Sequence, residues 1–162
     1  MIPCFNIQRL SLLIELRSHL ACHGLSLSGV ACYDCESMAL ASVLARALGL
    51  PYPVAEAVAT CRSKFACKQA WRRAALPCPE AQLVQCLEQA QAFADRLHAP
   101  VVLKPLTGSG SELVFLCSSA RDLETAFEAM RRRLAEHGDG RMYAAQEADE
   151  QAPDPRQTFV VE

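Results

Sequence analysis

Apolar residues recur along this chain at two different spacings, and the changes between them mark out the predicted elements. Over residues 6–23, Leu10, Leu13, Ile14, Leu16 and Leu20 keep the spacing of one helical face, with Asn6 placed as N-cap and Gly24 as a stop. Residues 29–33, "GVACY", read as a short strand. Asp34 is placed to cap a second helix with an inward face of Leu40, Val43, Leu44, Ala47 and Leu48, ended by Gly49 and Pro51. Helix, strand and helix in this order form part of a parallel α/β layer, incomplete because so few strands are present.

The pattern changes near Cys61. Ser63 is placed to cap a helix over 64–75, which "LPCP" ends because neither proline fits a helix interior. A helix over 80–97 would carry Leu83, Leu87, Ala90, Ala94 and Leu97 on one face. A hairpin over 101–115 follows. Next comes a helix over 120–136, with Ser119 and Asp122 resembling a capping box and Leu123, Phe127, Met130 and Leu134 facing inward. The pattern closes with a strand over 142–147, a polar loop over 148–157 and the strand "TFVVE". The expected organisation is an α/β segment over 1–60 and an α+β unit with four short strands over 61–162.

Composition narrows the function classes. The chain has 162 residues, 51% hydrophobic and 21% charged, enough to bury a core, and a formal net charge of -2. Basic residues are scattered apart from Arg131, Arg132 and Arg133, so nucleic acid is not an expected partner. No apolar run has the length to span a bilayer and no secretory leader pattern opens the chain, which predicts a cytoplasmic protein without a membrane partner. Nine cysteines, an odd number, then read as reduced thiols acting as small hydrophobes. His19, Cys22, His23, Cys32 and Cys35 fall close together, and "CYDC" is a zinc-type spacing. Because they sit on predicted helices and a strand, a zinc-binding module is the lesser alternative, and no metal ligand is assigned.

The stretch 101–115, "VVLKPLTGSGSELVF", holds the candidate chemistry. Its flanks are β-branched and aromatic, yet Lys104 sits within the first run, where a charge needs a partner. A Gly/Ser turn exposes backbone N–H groups that can bind phosphate oxygens. A Walker loop has its lysine after the glycines and connects a strand to a helix, and neither condition holds here. The remaining reading is a strand lysine facing a flexible hairpin flap, able to clamp a polyphosphate from two sides.

Together, "CRSKF", "AALPCP", "APVVLKPLTGSGSELVF" and "TFVVE" resemble, in order, the small nucleotide-binding lobe of the ATP-grasp superfamily. The segment before Cys61 is similar to the latter part of the Rossmann-like domain that usually precedes that lobe. The resemblance implies that Lys64 and Lys104 contact ATP phosphates, that Gly108, Ser109, Gly110 and Ser111 form the flap, and that Glu162 begins the hinge beside the adenine. It further implies ATP and Mg2+ as cofactors, with the magnesium ligands outside this chain. The reaction implied is activation of a small-molecule carboxylate as an acyl phosphate for attack by an amine or similar nucleophile.

Two departures stand out: Ser63 where the family often has Asp, and Ala75 where it usually has Gly. A left-handed alanine there costs roughly 1 kcal/mol or more. The chain reaches Glu162 before the family's second lobe, so the expectation is an internal fragment of a longer ligase, inactive alone. A homo-oligomer is compatible with its cut sheet edges. The competing expectation is a non-catalytic nucleotide-binding or interaction module.

Overall fold

Two stretches of the chain each fold on themselves, Met1–Val58 and Ala59–Glu162. The structure, a computed structural model, describes residues 7–138, 142–143 and 153–162. The fold is mixed α/β with one small antiparallel sheet among the described residues.

In the first unit, α1 (Ile7–Cys22) half-buries Leu13, Leu16 and Leu20 and leaves Ile14 exposed. Asn6 and the Leu10 side chain lie outside the described residues. The expected strand over 29–33 does not form, and residues 25–34 carry no regular structure. That segment pairs with no strand among the described residues, and pairing decides strand formation. The N-cap position of α2 (Met38–Leu48) falls on Ser37 and not on Asp34, whose Oδ1 instead accepts from the Glu36 and Ser37 N–H groups at 2.9 and 3.0 Å in the turn before the helix. The helix buries Ala41, Ser42 and Ala45, while the expected Leu40, Val43, Leu44, Ala47 and Leu48 are half-buried. The small side chains take the buried face, and Ser42 Oγ donates to Pro53 O there at 2.8 Å. Gly49, with φ of 68°, ends α2.

α3 (Ala55–Arg62) is a helix the hydrophobic pattern does not announce. α4 (Lys64–Arg73) begins at Ser63, whose Oγ accepts from the Ala66 N–H at 3.2 Å. It ends before Ala75, which is left-handed with φ of 54°, so alanine bears the strain a glycine would avoid.

Residues 82–84 correct the reading of one long helix over 80–97. They form β1 (Gln82–Val84), and the helix, α5, is confined to Leu87–Leu97. β1 pairs antiparallel with β4 (Phe159–Val161), placing Leu83 opposite Val160. β2 (Val101–Pro105) pairs antiparallel with both β4 and β3 (Phe115–Cys117), so the sheet order is β1-β4-β2-β3. Met142 and Tyr143 lie in a turn where a strand is expected over 142–147, and 144–147 fall outside the described residues, as do 148–152 of the polar loop.

α6 (Ala120–Glu136) has a reciprocal cap: Ser119 Oγ accepts from the Asp122 N–H, and Asp122 Oδ2 accepts from the Ser118 N–H, both at 3.1 Å. Its buried face, Leu123, Ala126, Phe127, Met130 and Leu134, joins Phe93 of α5 against Val101, Leu103, Phe159 and Val161 of the sheet. Phe127 meets Phe159 edge-on at 5.0 Å between ring centroids, a preferred aromatic geometry. Because side chains alternate along β2 and β4, one sheet face carries this core. The other face receives Lys104, Val160 and Glu162.

Candidate nucleotide site

Lys104 projects from β2 on the face away from the α5/α6 core, opposite Val160 in the β2/β4 register. Glu162 follows β4 on that same face. Its backbone extends the ladder, with Val102 N–H donating to Glu162 O at 2.7 Å and Glu162 N–H donating to Val102 O at 3.0 Å. This register brings the two side chains together, and Lys104 Nζ donates to Glu162 Oε1.

A second lysine completes the cluster. Lys68, on α4 one turn after Lys64, forms an ion pair with Glu162 Oε2. All three side chains are largely removed from water, with 8% of Lys68 and 15% of each of the others exposed. Burial pushes the Glu162 carboxyl up, but the Lys104 and Lys68 ammonium groups together outweigh it and hold it below its ordinary value. The carboxylate is therefore ionised at neutral pH. Sequence reading had not singled out Lys68, although the four-residue step from Lys64 puts it on a neighbouring part of the same helix surface.

Lys64 has a different role in this geometry. Its Nζ donates to Thr107 O at 2.6 Å and to Gly108 O at 3.2 Å, and its backbone N–H donates to Leu106 O at 3.0 Å. Of the residues predicted for the site, the structure thus gathers Lys104 with Glu162, and Lys64 with Gly108, as two adjoining groups.

The flap runs between β2 and β3. Leu106 and Thr107 are buried at its entry and Leu113 at its exit, while Gly110 and Ser111 are exposed at its tip. Gly108, Gly110, Ser111 and Leu113 all have positive φ, between 57° and 94°. Gly108 is required for a second reason: a Cβ there would lie 2.8 Å from Tyr143 Cε1. Tyr143 is itself buried, and its hydroxyl donates to Glu112 Oε2 at 3.3 Å. Burial, followed by the Glu112 carboxylate, pushes the Tyr143 phenol up to about 12. His137 stacks edge-on against the Tyr143 ring at 4.8 Å, and Thr107 Oγ1 donates to Met142 O at 3.2 Å. The sequence offered no signal for Tyr143, because its partners come from the flap and the end of α6.

Cationic lysines beside a small-residue flap are suited to phosphate oxygens, through charge neutralisation and backbone N–H donation. The surrounding residues fit a nucleotide better than a metal. Glu162 is committed to two lysines, and no group of three or more His, Cys, Asp or Glu placed to hold a metal ion occurs among the described residues. His19, Cys22, His23, Cys32 and Cys35 therefore do not converge as a zinc site would require. A cavity of about 280 Å³ opens toward the other end of β2, among His98, Val101, Cys117 and Ser119, and takes in none of these lysines.

The family model for the RimK-like ATP-grasp domain matches residues 61–139, the span that contains α4, β1, α5, β2, the flap, β3 and α6. Residues 61–139 are thus similar to an ATP-grasp domain. The uncharacterized protein y4rH of Sinorhizobium fredii is 36% identical over 80 residues, which cover 49% of this chain and 17% of that protein. Among solved structures, the biotin carboxylase domain of the Hydrogenobacter thermophilus 2-oxoglutarate carboxylase, in complex with MgADP, ADP and bicarbonate, has a TM-score of 0.67. It is 15% identical, covering 93% of this chain and 30% of that one. The L-amino acid ligase of Bacillus licheniformis gives 0.63 at 18% identity, covering 92% and 31%. A RimK domain ATP-grasp protein of Sphaerobacter thermophilus gives 0.54 at 21%, covering 76% and 40%. These likenesses show an ATP-grasp fold, and this chain spans well under half the length of each relative.

Among the described residues, no helix is long and apolar enough to cross a membrane.

Proposed function

We propose that this ATP-grasp segment supplies the phosphate-binding lobe of an ATP-dependent ligase acting on a small-molecule carboxylate. The observation that carries the reading is Lys104, buried in a strand beside Glu162 and next to a flap of small residues in the superfamily's order. Lys64, Lys104 and the flap residues Gly108, Ser109, Gly110 and Ser111 would hold the phosphates, with Glu162 toward the adenine. ATP bound there supplies the phosphoryl group that turns the carboxylate into an acyl phosphate, ready for attack by an amine or similar nucleophile.

Such chemistry asks the protein for positioning and charge neutralisation more than for a nucleophile of its own. Three lysines and one carboxylate in this neighbourhood leave a positive balance toward an anion. A flap anchored at both ends, with an exposed tip, is built to exclude water over the phosphates. Magnesium would be held by acidic residues other than Glu162, which is already paired. The reading places the protein in the cytoplasm, with small-molecule partners.

The test is MgATP binding and carboxylate-dependent ADP release by the intact protein that carries this segment. Lys104→Ala is expected to weaken nucleotide binding at least about tenfold, as loss of a charge-assisted contact does. Equal affinity in the variant would remove Lys104 from the site. Nucleotide binding without any carboxylate-dependent ADP release would identify a non-catalytic module instead.

A further inference from the structure

The Glu162 cluster contains one more cation than its carboxylate needs. Each oxygen of that carboxylate meets a different lysine, Oε1 with Lys104 and Oε2 with Lys68. If Lys104 were its only partner, a phosphate drawing Lys104 away would strand a desolvated charge. Affinity for the nucleotide would then be opposed by the loss of the internal pair.

Lys68 is arranged so that this need not happen. It is the most buried of the three side chains, and it sits on a helix whose start is fixed by the Ser63 cap and by the Lys64 N–H bond to Leu106 O. Its Nζ also lies 5.9 Å from the centroid of the Trp71 ring on the same helix. Lys64, one turn earlier, donates to the flap carbonyls of Thr107 and Gly108.

We propose that Lys68 is a positioning residue for nucleotide binding: it keeps Glu162 compensated, and so leaves Lys104 available to a phosphate. The inference rests on the ATP-binding reading above and adds to it a residue that touches Glu162 and not the nucleotide. A direct phosphate ligand would contribute the same affinity whether or not residue 162 is charged. A positioning residue contributes only while that carboxylate is present.

A double-mutant cycle on MgATP affinity in the intact protein separates the two. Lys68→Gln is expected to weaken binding about tenfold or more, but no more than about threefold when combined with Glu162→Gln and compared with Glu162→Gln alone. Lys68→Arg, which keeps a cation on the carboxylate, is expected to bind within about threefold of the wild type. An equal loss from Lys68→Gln in both backgrounds, no loss in the wild-type background, or a loss in Lys68→Arg as large as in Lys68→Gln would each overturn the proposal. If Lys68→Gln alone fails to fold, the pair carrying Glu162→Gln decides: near-equal affinities support the proposal and a tenfold gap overturns it. Lys104→Ala, run in parallel, isolates the underlying reading. Lost binding there with no coupling between positions 68 and 162 removes this inference alone, whereas unchanged binding removes both.

Discussion

The Glu162 cluster and the flap adjoin the same end of β2, yet they are held by opposite means. In the cluster, residues from α4, β2 and the end of β4 bring two ammonium groups onto one largely buried carboxylate. The interaction is electrostatic, and removing the carboxylate leaves two ammonium groups uncompensated. In the flap, Lys64 holds Thr107 O and Gly108 O, the Tyr143 ring lies against Gly108, and the Tyr143 hydroxyl donates to Glu112 Oε2. There the backbone itself is strained, with positive φ at the non-glycine residues Ser111 and Leu113. A charged ligand therefore meets a buried cluster of two ammonium groups on one carboxylate and a loop held by Lys64 of α4 and by Tyr143.

The largest expected effect lies in the cluster. Glu162→Ala leaves Lys68 and Lys104 facing each other without the carboxylate, and is expected to cost about 2–4 kcal/mol in chemical denaturation. Its pH dependence has a definite sign. The folded-state pKa of Glu162 lies below the ordinary 4.5, so the carboxylate's contribution is complete above that value and fades as pH falls through the lower folded one. The stability curves of wild type and Glu162→Ala should converge in acid, and curves that stay parallel would show that the ion pairs contribute little.

Gly108→Ala comes next and probes the flap. A Cβ placed 2.8 Å from a buried tyrosine ring, at φ of 94°, is expected to cost about 2 kcal/mol. This cost is a steric clash with the Tyr143 ring and does not involve the Glu162 ion pairs, so it should not follow the Glu162→Ala difference through the acid range. Should it vary there in step with Glu162→Ala, the two regions would be energetically coupled and the contrast between them would fail.

The same contrast explains what the sequence made legible. Elements governed by local spacing were readable: α6 with its Ser119/Asp122 cap, the Ser63 start of α4 and the β2/β3 hairpin around the flap. Those decided by distant partners were not. Leu83 keeps helical spacing with Leu87 and Ala90, but pairing of Leu83 with Val160 makes it a strand residue. "GVACY" reads as a strand and has no partner strand among the described residues. In the site, Lys104 was conspicuous because a charge interrupted an apolar run. Lys68 was not, since a lysine on a polar helix looks solvated until Glu162 is folded against it. Tyr143 escaped notice for the same reason, its role set by Gly108 and Glu112 across the flap.

The smallest expected effect sharpens the account of the flap. Ser111 is exposed at the tip with φ of 59°, a conformation that glycine adopts without the steric cost borne by serine. Glycine also gains freedom in the unfolded chain, which offsets part of the relief. Ser111→Gly is therefore expected to stabilise the folded state by about 0.5 kcal/mol, measured by thermal denaturation at low and high salt. The gain should be the same at both, because it comes from backbone strain and not from charge. A stabilisation that vanished in high salt would assign an electrostatic role to the flap tip and make the two regions alike, whereas a salt-independent gain keeps the strain in the loop and the charge in the Glu162 cluster.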